Sequence, residues 1–217
     1  MRRTNHIPLS FTSALYNWYA ANYSTGGASI ANAGWHVPSR TEWATLITTI
    51  GGANIANAMK VKGRLFWNLN PTSATNSSGF SAIGAGSRGD NGNFYSLKAS
   101  VFYQLSTYDI YSSNGVAIMS ASGSPSGFSC YPEETFRKIG LTVRLLKDND
   151  TDPGSYTDID GNVYPTVKIG SQVWLKADLK VTHFNDGTPI PLVSDPASWA
   201  ALTSAGFCYY NNSKIVH

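Results

Sequence analysis

Charged side chains make up only 13% of this 217-residue chain, about half of the ~25% usual in globular proteins. Sixteen Lys and Arg stand against 13 Asp and Glu, for a net charge of +3. The basic residues are scattered and form no phosphate-tracking stripe, which excludes nucleic acid as a partner. Cysteine is nearly absent. Cys130 and Cys208 allow at most one bridge and form no zinc ligand set, so they leave the compartment open. No apolar run is long enough to cross a bilayer, so no membrane insertion is expected. The basic start Met1-Arg2-Arg3 leads into no apolar stretch, so this chain is expected to carry no signal peptide. A nucleophile elbow, a phosphate-cradling glycine loop and a metalloprotease helix are all missing, and the irregular run from Gly84 to Asp90 is no nucleotide fingerprint.

Aromatic residues, at 12%, fill part of the space left by charge, with Ser, Thr, Asn and Gly supplying much of the rest. Tyr and Trp give large amphipathic contact area at low entropic cost, while Ser, Asn and Gly adapt their hydrogen bonds, as in a paratope. A generic β-rich extracellular protein shares this composition. Ser39-Arg40-Thr41-Glu42 reads as a capping box, followed by Trp43, Leu46, Ile47 and Ile50 at helical spacing and closed by Gly51-Gly52. Ala14-Leu15-Tyr16-Asn17-Trp18-Tyr19-Ala20 predicts a short aromatic helix. Asp195-Pro196 predicts another, with Trp199 and Leu202 on one face. Strands are predicted over 141–146, 163–169 and 172–175, the last two joined by a turn at Gly170-Ser171. From Pro71 to about Arg137, Gly, Ser and Asn punctuate short strand-like pieces. The polar run 147–156 is the one plausible linker. The fold class is α+β: small antiparallel sheets, two to three short helices and much irregular loop.

Two blocks resemble the Fibrobacter succinogenes major paralogous domain, a family similar to the formylglycine-generating-enzyme branch of C-type-lectin-like folds. The first holds Ala14 to Ala20, then Gly34-Trp35-His36-Val37-Pro38-Ser39 with Glu42-Trp43, then Asn76-Ser77-Ser78-Gly79-Phe80, and finally Gly140-Leu141-Thr142-Val143-Arg144. The second holds Asp158-Ile159-Asp160-Gly161-Asn162, Val167-Lys168-Ile169-Gly170-Ser171-Gln172-Val173-Trp174-Leu175, Asn185-Asp186-Gly187-Thr188 and Phe207-Cys208-Tyr209-Tyr210-Asn211. In the family the second block comes first. The resemblance therefore implies a single C-type-lectin-like domain over 1–217, circularly permuted: 1–146 as the family's C-terminal part, 147–156 as linker and 157–217 as its N-terminal part. The linker would join the strand at Val143 to the strand at Val167, laid side by side. The alternative is a piece of a tandem array whose C-terminal part swaps into a neighbouring copy.

The resemblance also extends to the C-type-lectin-like variable proteins of diversity-generating retroelements, which carry randomised residues just before the segment matching Gly140 to Arg144. It implies a non-catalytic protein that presents a variable surface to a protein or glycan receptor, on a phage particle or a bacterial cell surface. The ligand-binding residues expected are Tyr103, Leu105, Tyr108, Asp109, Ile110, Tyr111, Ser112, Asn114, Phe128, Ser129, Tyr131 and Phe136. An ordinary variable loop with no ligand is the plain alternative. A carbohydrate-binding or scaffold module of a surface protein is the rival function, and an oxidase-like enzyme a third. Homo-oligomers or swapped dimers fit the same resemblance. Family members often pair a cysteine at the position of Cys208 with one in the last strand; here that strand reads Val143-Arg144-Leu145-Leu146, so the bridge is expected to be lost. No cofactor is implied. Asp148, Asp150 and Asp152, with Asp158 and Asp160, have the alternate spacing of calcium ligands, but the distal glutamate is missing and a solvated linker is the preferred reading. His36 is expected to fix the entry to the Ser39 helix, with Trp35 and Trp43 as core. Arg88-Gly89-Asp90 and Asn185-Asp186-Gly187-Thr188 read as turns.

Overall fold

The computed structural model describes residues 13–51, 55–68, 74–106, 116–120, 127–129, 137–149 and 152–214, with 116–120 and 127–129 given as backbone. In chain order the strands are β1 Ala14–Tyr16, β2 Trp35–His36, β3 Ser87–Arg88, β4 Phe94–Tyr95, β5 Ser100–Gln104, β6 Val116–Ser120, β7 Gly127–Ser129, β8 Leu146–Lys147, β9 Ser155–Thr157, β10 Val163–Ile169, β11 Gln172–Leu175 and β12 Phe207–Tyr209. The helices are α1 Trp18–Ala21, α2 Arg40–Ile50, α3 Ile55–Met59 and α4 Pro196–Ala200. This is a mixed α+β architecture with small antiparallel sheets. A five-stranded sheet runs β2-β8-β11-β10-β9, a three-stranded one β5-β6-β7, and β1-β12 and β3-β4 form pairs.

Local chemistry explains the elements that sequence periodicity predicts. Ser39 Oγ accepts from the Glu42 N–H while the Glu42 carboxylate accepts from the Ser39 N–H, and Trp43 and Leu46 turn inward from α2. Asp195 caps α4 by accepting from the Ser198 N–H, with Pro196 at the first helical position. The β10–β11 hairpin turns at Gly170, whose φ of +62° suits a residue without Cβ. At the Asp186 turn, Gly187 donates to Phe184 O and Asp186 Oδ1 accepts from the Thr188 N–H.

Three expectations need correction. The predicted helix over 14–20 begins instead as β1, and only 18–21 is helical. Ala14, Leu15 and Tyr16 are all fully buried, because β1 pairs with β12 and bridges Leu141 on its other side. A strand buried on both faces reads as a continuous apolar run, which periodicity cannot tell from a short helix. The predicted strand over 141–146 is regular only at its end. Residues 140–142 bridge Arg88, Tyr16 and Tyr103 in turn before β8 forms. Nor does this segment lie against β10, since β11 intervenes: Trp174 opposes Leu146, and Leu175 and Leu179 donate to Leu145 O and Val143 O.

Two large apolar clusters hold the body together. In one, Trp43, Phe80, Tyr103 and Trp174 meet at ring centroid distances of 5.1 to 5.8 Å. The other gathers Tyr16, Val37 and Val143 with Tyr164, Leu175, Phe184 and Phe207. Both draw residues from before Lys147 and after Asp152, so the C-terminal segment completes the same core. Trp43 is core as expected, whereas Trp35 is half-buried with its ring 5.1 Å from that of Tyr156.

Candidate recognition surface

The stretch expected to bind ligand grows out of β5. Tyr103 and Leu105, counted among its binding residues, are fully buried in the core, and this corrects their assignment. Val101, Tyr103 and Leu105 share the inward face at period two, while Phe102 between them is half-buried. Tyr103 packs on Trp43 and Phe80 beneath the Arg144 guanidinium, and burial pushes its phenol well above the ordinary range. Tyr108, Asp109, Ile110, Tyr111, Ser112, Asn114, Tyr131 and Phe136 lie outside the described residues, as does Cys130. Phe128 and Ser129 fall on β7, where the backbone pairs Phe128 with Ala117 and Ser129 with Val116.

The described residues at both ends of this stretch, its roots, are hydrogen-bonded to each other and to β1. The Gln104 side chain, fully buried, donates to Tyr16 O and Ile139 O, and the Gln104 N–H donates to Thr142 O. Thr142 returns two bonds to Phe102 O, from its N–H and its hydroxyl. Around these roots lies a half-exposed aromatic border that sequence reasoning missed. Trp18, Phe102 and Ile139 pack on buried Leu141, and the Arg137 guanidinium sits 4.8 Å above the Trp18 ring. Phe102, Ile139 and Leu141 also line an open groove of about 260 Å³ together with Ser87, Gly89, Tyr95 and Ser96. The inward period at 101–105 was the available signal: it leaves Phe102 facing out.

Three of the carboxylates weighed as calcium ligands, those of Asp148, Asp158 and Asp160, have other partners. Asp148 Oδ1 meets His36 Nδ1, and His36 Nε2 lies 2.9 Å from Glu42 Oε1, so His36 ties β2 and the start of α2 to the loop after β8. Asp150 lies outside the described residues, and the Asp152 carbonyl accepts from Lys147 Nζ. Asp158 organises its own turn, accepting from Asp160 N, Asn162 N and the Tyr164 hydroxyl. Asp160 accepts from the Thr182 hydroxyl and meets His183 Nδ1 at 2.5 Å. Among the described residues no three such groups converge on a metal-sized site.

Glu42 carries a pH dependence. Burial raises its pKa, but bonds from Ser39 and the charge and hydrogen bond of His36 outweigh that and hold it below its ordinary 4.5. A carboxyl depressed in the folded state stabilises the fold above its unfolded pKa, and that contribution is lost as pH falls through the folded value. Thermal melts followed by circular dichroism are expected to lose stability on acidification below 4.5. Glu42→Gln, which keeps the capping geometry, should flatten that slope.

Arg88 is fully buried: its guanidinium donates to Gly92 O, Val193 O and Ser194 O and stacks 4.5 Å from Trp199. Cys208 is a free, buried thiol packed with Leu15 and Trp199; burial pushes its pKa up to about 11 against the opposing Arg88 charge. No curated protein and no solved structure matches the chain. The family model for the Fibrobacter succinogenes major domain matches residues 4–147, which hold the excursion, its roots and its aromatic border and end before the second block found in the sequence. On that match, spanning well over half of its length, the chain belongs to the Fibrobacter succinogenes major domain family.

Proposed function

We propose that this chain is a non-catalytic recognition protein with a C-type-lectin-like fold that displays the 106–136 excursion to a protein or glycan receptor. The observation that carries the reading is the pair of anchored roots. Gln104 and Thr142 clamp both ends of a Tyr-, Ser- and Asn-rich stretch beside a buried aromatic core. Rigid support beneath adaptable polar and aromatic contacts is what a paratope needs. The raised pKa of buried Cys208 supports a structural thiol over a reactive one.

In this reading the chain is a target protein of a diversity-generating retroelement, at a phage or bacterial surface, with 157–217 as the family's N-terminal part rotated to the end. The pairing of β1 with β12 and of β8 with β11 supports the rotated order within one body. The exposed Tyr95 ring, 45% accessible beside the groove, favours a glycan as one form of receptor, since flat aromatic faces stack on sugar rings.

Replacing Tyr108 and Tyr111 with alanine is expected to weaken receptor binding at least tenfold, the worth of one aromatic hot spot at about 1.4 kcal/mol or more. The melting temperature should stay within a degree or two of the parent, as for exposed positions generally. Surface plasmon resonance on receptor-bearing cell extracts, with a glycan array alongside, reads the first; calorimetry reads the second. A large drop in melting temperature would place these tyrosines in the core and end the reading.

A further inference from the structure

We propose that residues 152–214 are a separable complement to the 13–149 framework, and that their seat accepts the same segment from a second copy of this chain. The two parts are joined by a single covalent crossing at 148–154, where Asn149, Asp152, Pro153 and Gly154 are exposed. Among the described residues, everything else between them is non-covalent and resembles a domain interior. Strand β11 adds to β8 and β12 adds to β1. The framework's buried polar groups look to the complement for partners: Arg144 bonds Asp178 Oδ1 and Leu175 O, Arg88 bonds Val193 O and Ser194 O, and the Tyr16 hydroxyl donates to Val181 O. In return Trp199 donates to Lys138 O and lies so close to Gly140 that a Cβ there would come within 2.9 Å of its ring.

An interface this apolar and hydrogen-bonded has the character of an obligate one. Its specificity resides in Asp178, Trp199 and the two strands, none of which belongs to the crossing. The framework therefore has no means of telling its own complement from that of another copy, and exchange of an identical element is the low-cost route to a dimer. The tether sets only the effective concentration, which favours the closed monomer when the protein is dilute.

The test inserts a protease recognition sequence after Asp152 in the full chain and cleaves the folded, purified protein. The pieces are expected to co-elute at micromolar concentration. After unfolding in urea and refolding, tagged and untagged cleaved samples should give mixed pairs in statistical proportion. Pieces that elute apart, or that refold only as separate species, overturn the proposal. The unmodified chain gives a second reading that does not depend on the insertion. Refolded at rising concentration, it should yield a growing fraction of slowly dissociating dimer with the monomer's circular dichroism. Monomer alone at every concentration overturns the second-copy seat.

Discussion

Replacing Asp178 with alanine is expected to destabilise the fold by about 3–5 kcal/mol, the cost of leaving one half of a buried ion pair uncompensated. Asp178 Oδ1 accepts from Arg144 Nε at 2.6 Å, and each side chain is about 1% exposed. The other carboxylate oxygen accepts from Ser13 Oγ. Without the carboxylate, the guanidinium keeps its bonds to Phe80 O, Leu175 O and Ser81 O but sits charged in an aromatic cage, 4.6 Å from the Phe80 ring. At this chain length the loss corresponds to a fall of about 10 °C in melting temperature. Urea denaturation should show a lower midpoint with an unchanged slope. Pairing Asp178→Leu with Arg144→Met should recover part of the loss, because it removes both charges. It should not recover all of it, because three carbonyls are then orphaned.

Arg88→Ala carries the second largest expected effect, about 4 kcal/mol from a buried cavity and the loss of its bonds to three carbonyls, of which only Ser194 O keeps another donor, Asn212 Nδ2. The carbonyls belong to Gly92 on its own loop and to Val193 and Ser194 just before α4, so the change also loosens the seat of Trp199. Arg88→Lys should recover little, since an ammonium lacks the planar fork that reaches separate acceptors and stacks on an aromatic face. Chemical denaturation followed by tryptophan fluorescence reads both variants. An Arg88→Lys variant as stable as the parent would show that charge alone, rather than the fork, holds the site.

Both arginines show where sequence reading stops. Arg88 stands in Arg88-Gly89-Asp90, which reads locally as a glycine-rich turn, and its burial depends on acceptors more than a hundred positions away. Nothing within a local window signals that. The elements decided by local chemistry were legible: the Ser39–Glu42 box announces α2, Asp195-Pro196 announces α4, and Gly170 marks the β10–β11 turn. Strand β1 was not, because its neighbours are Phe207–Tyr209 and Leu141, brought beside it only by the finished fold. For the proposed recognition surface, the stretch that family resemblance picks out opens on Tyr103 and Leu105, which the fold buries. The alternation of Val101, Tyr103 and Leu105 already placed those side chains inward and marked Phe102 as the outward residue.

Strands β1 and β12 run antiparallel with Ala14 opposite Tyr209. Tension applied through residues 13 and 210 would therefore meet that ladder end-on, parting one pair after another across bonds that lie perpendicular to the strands.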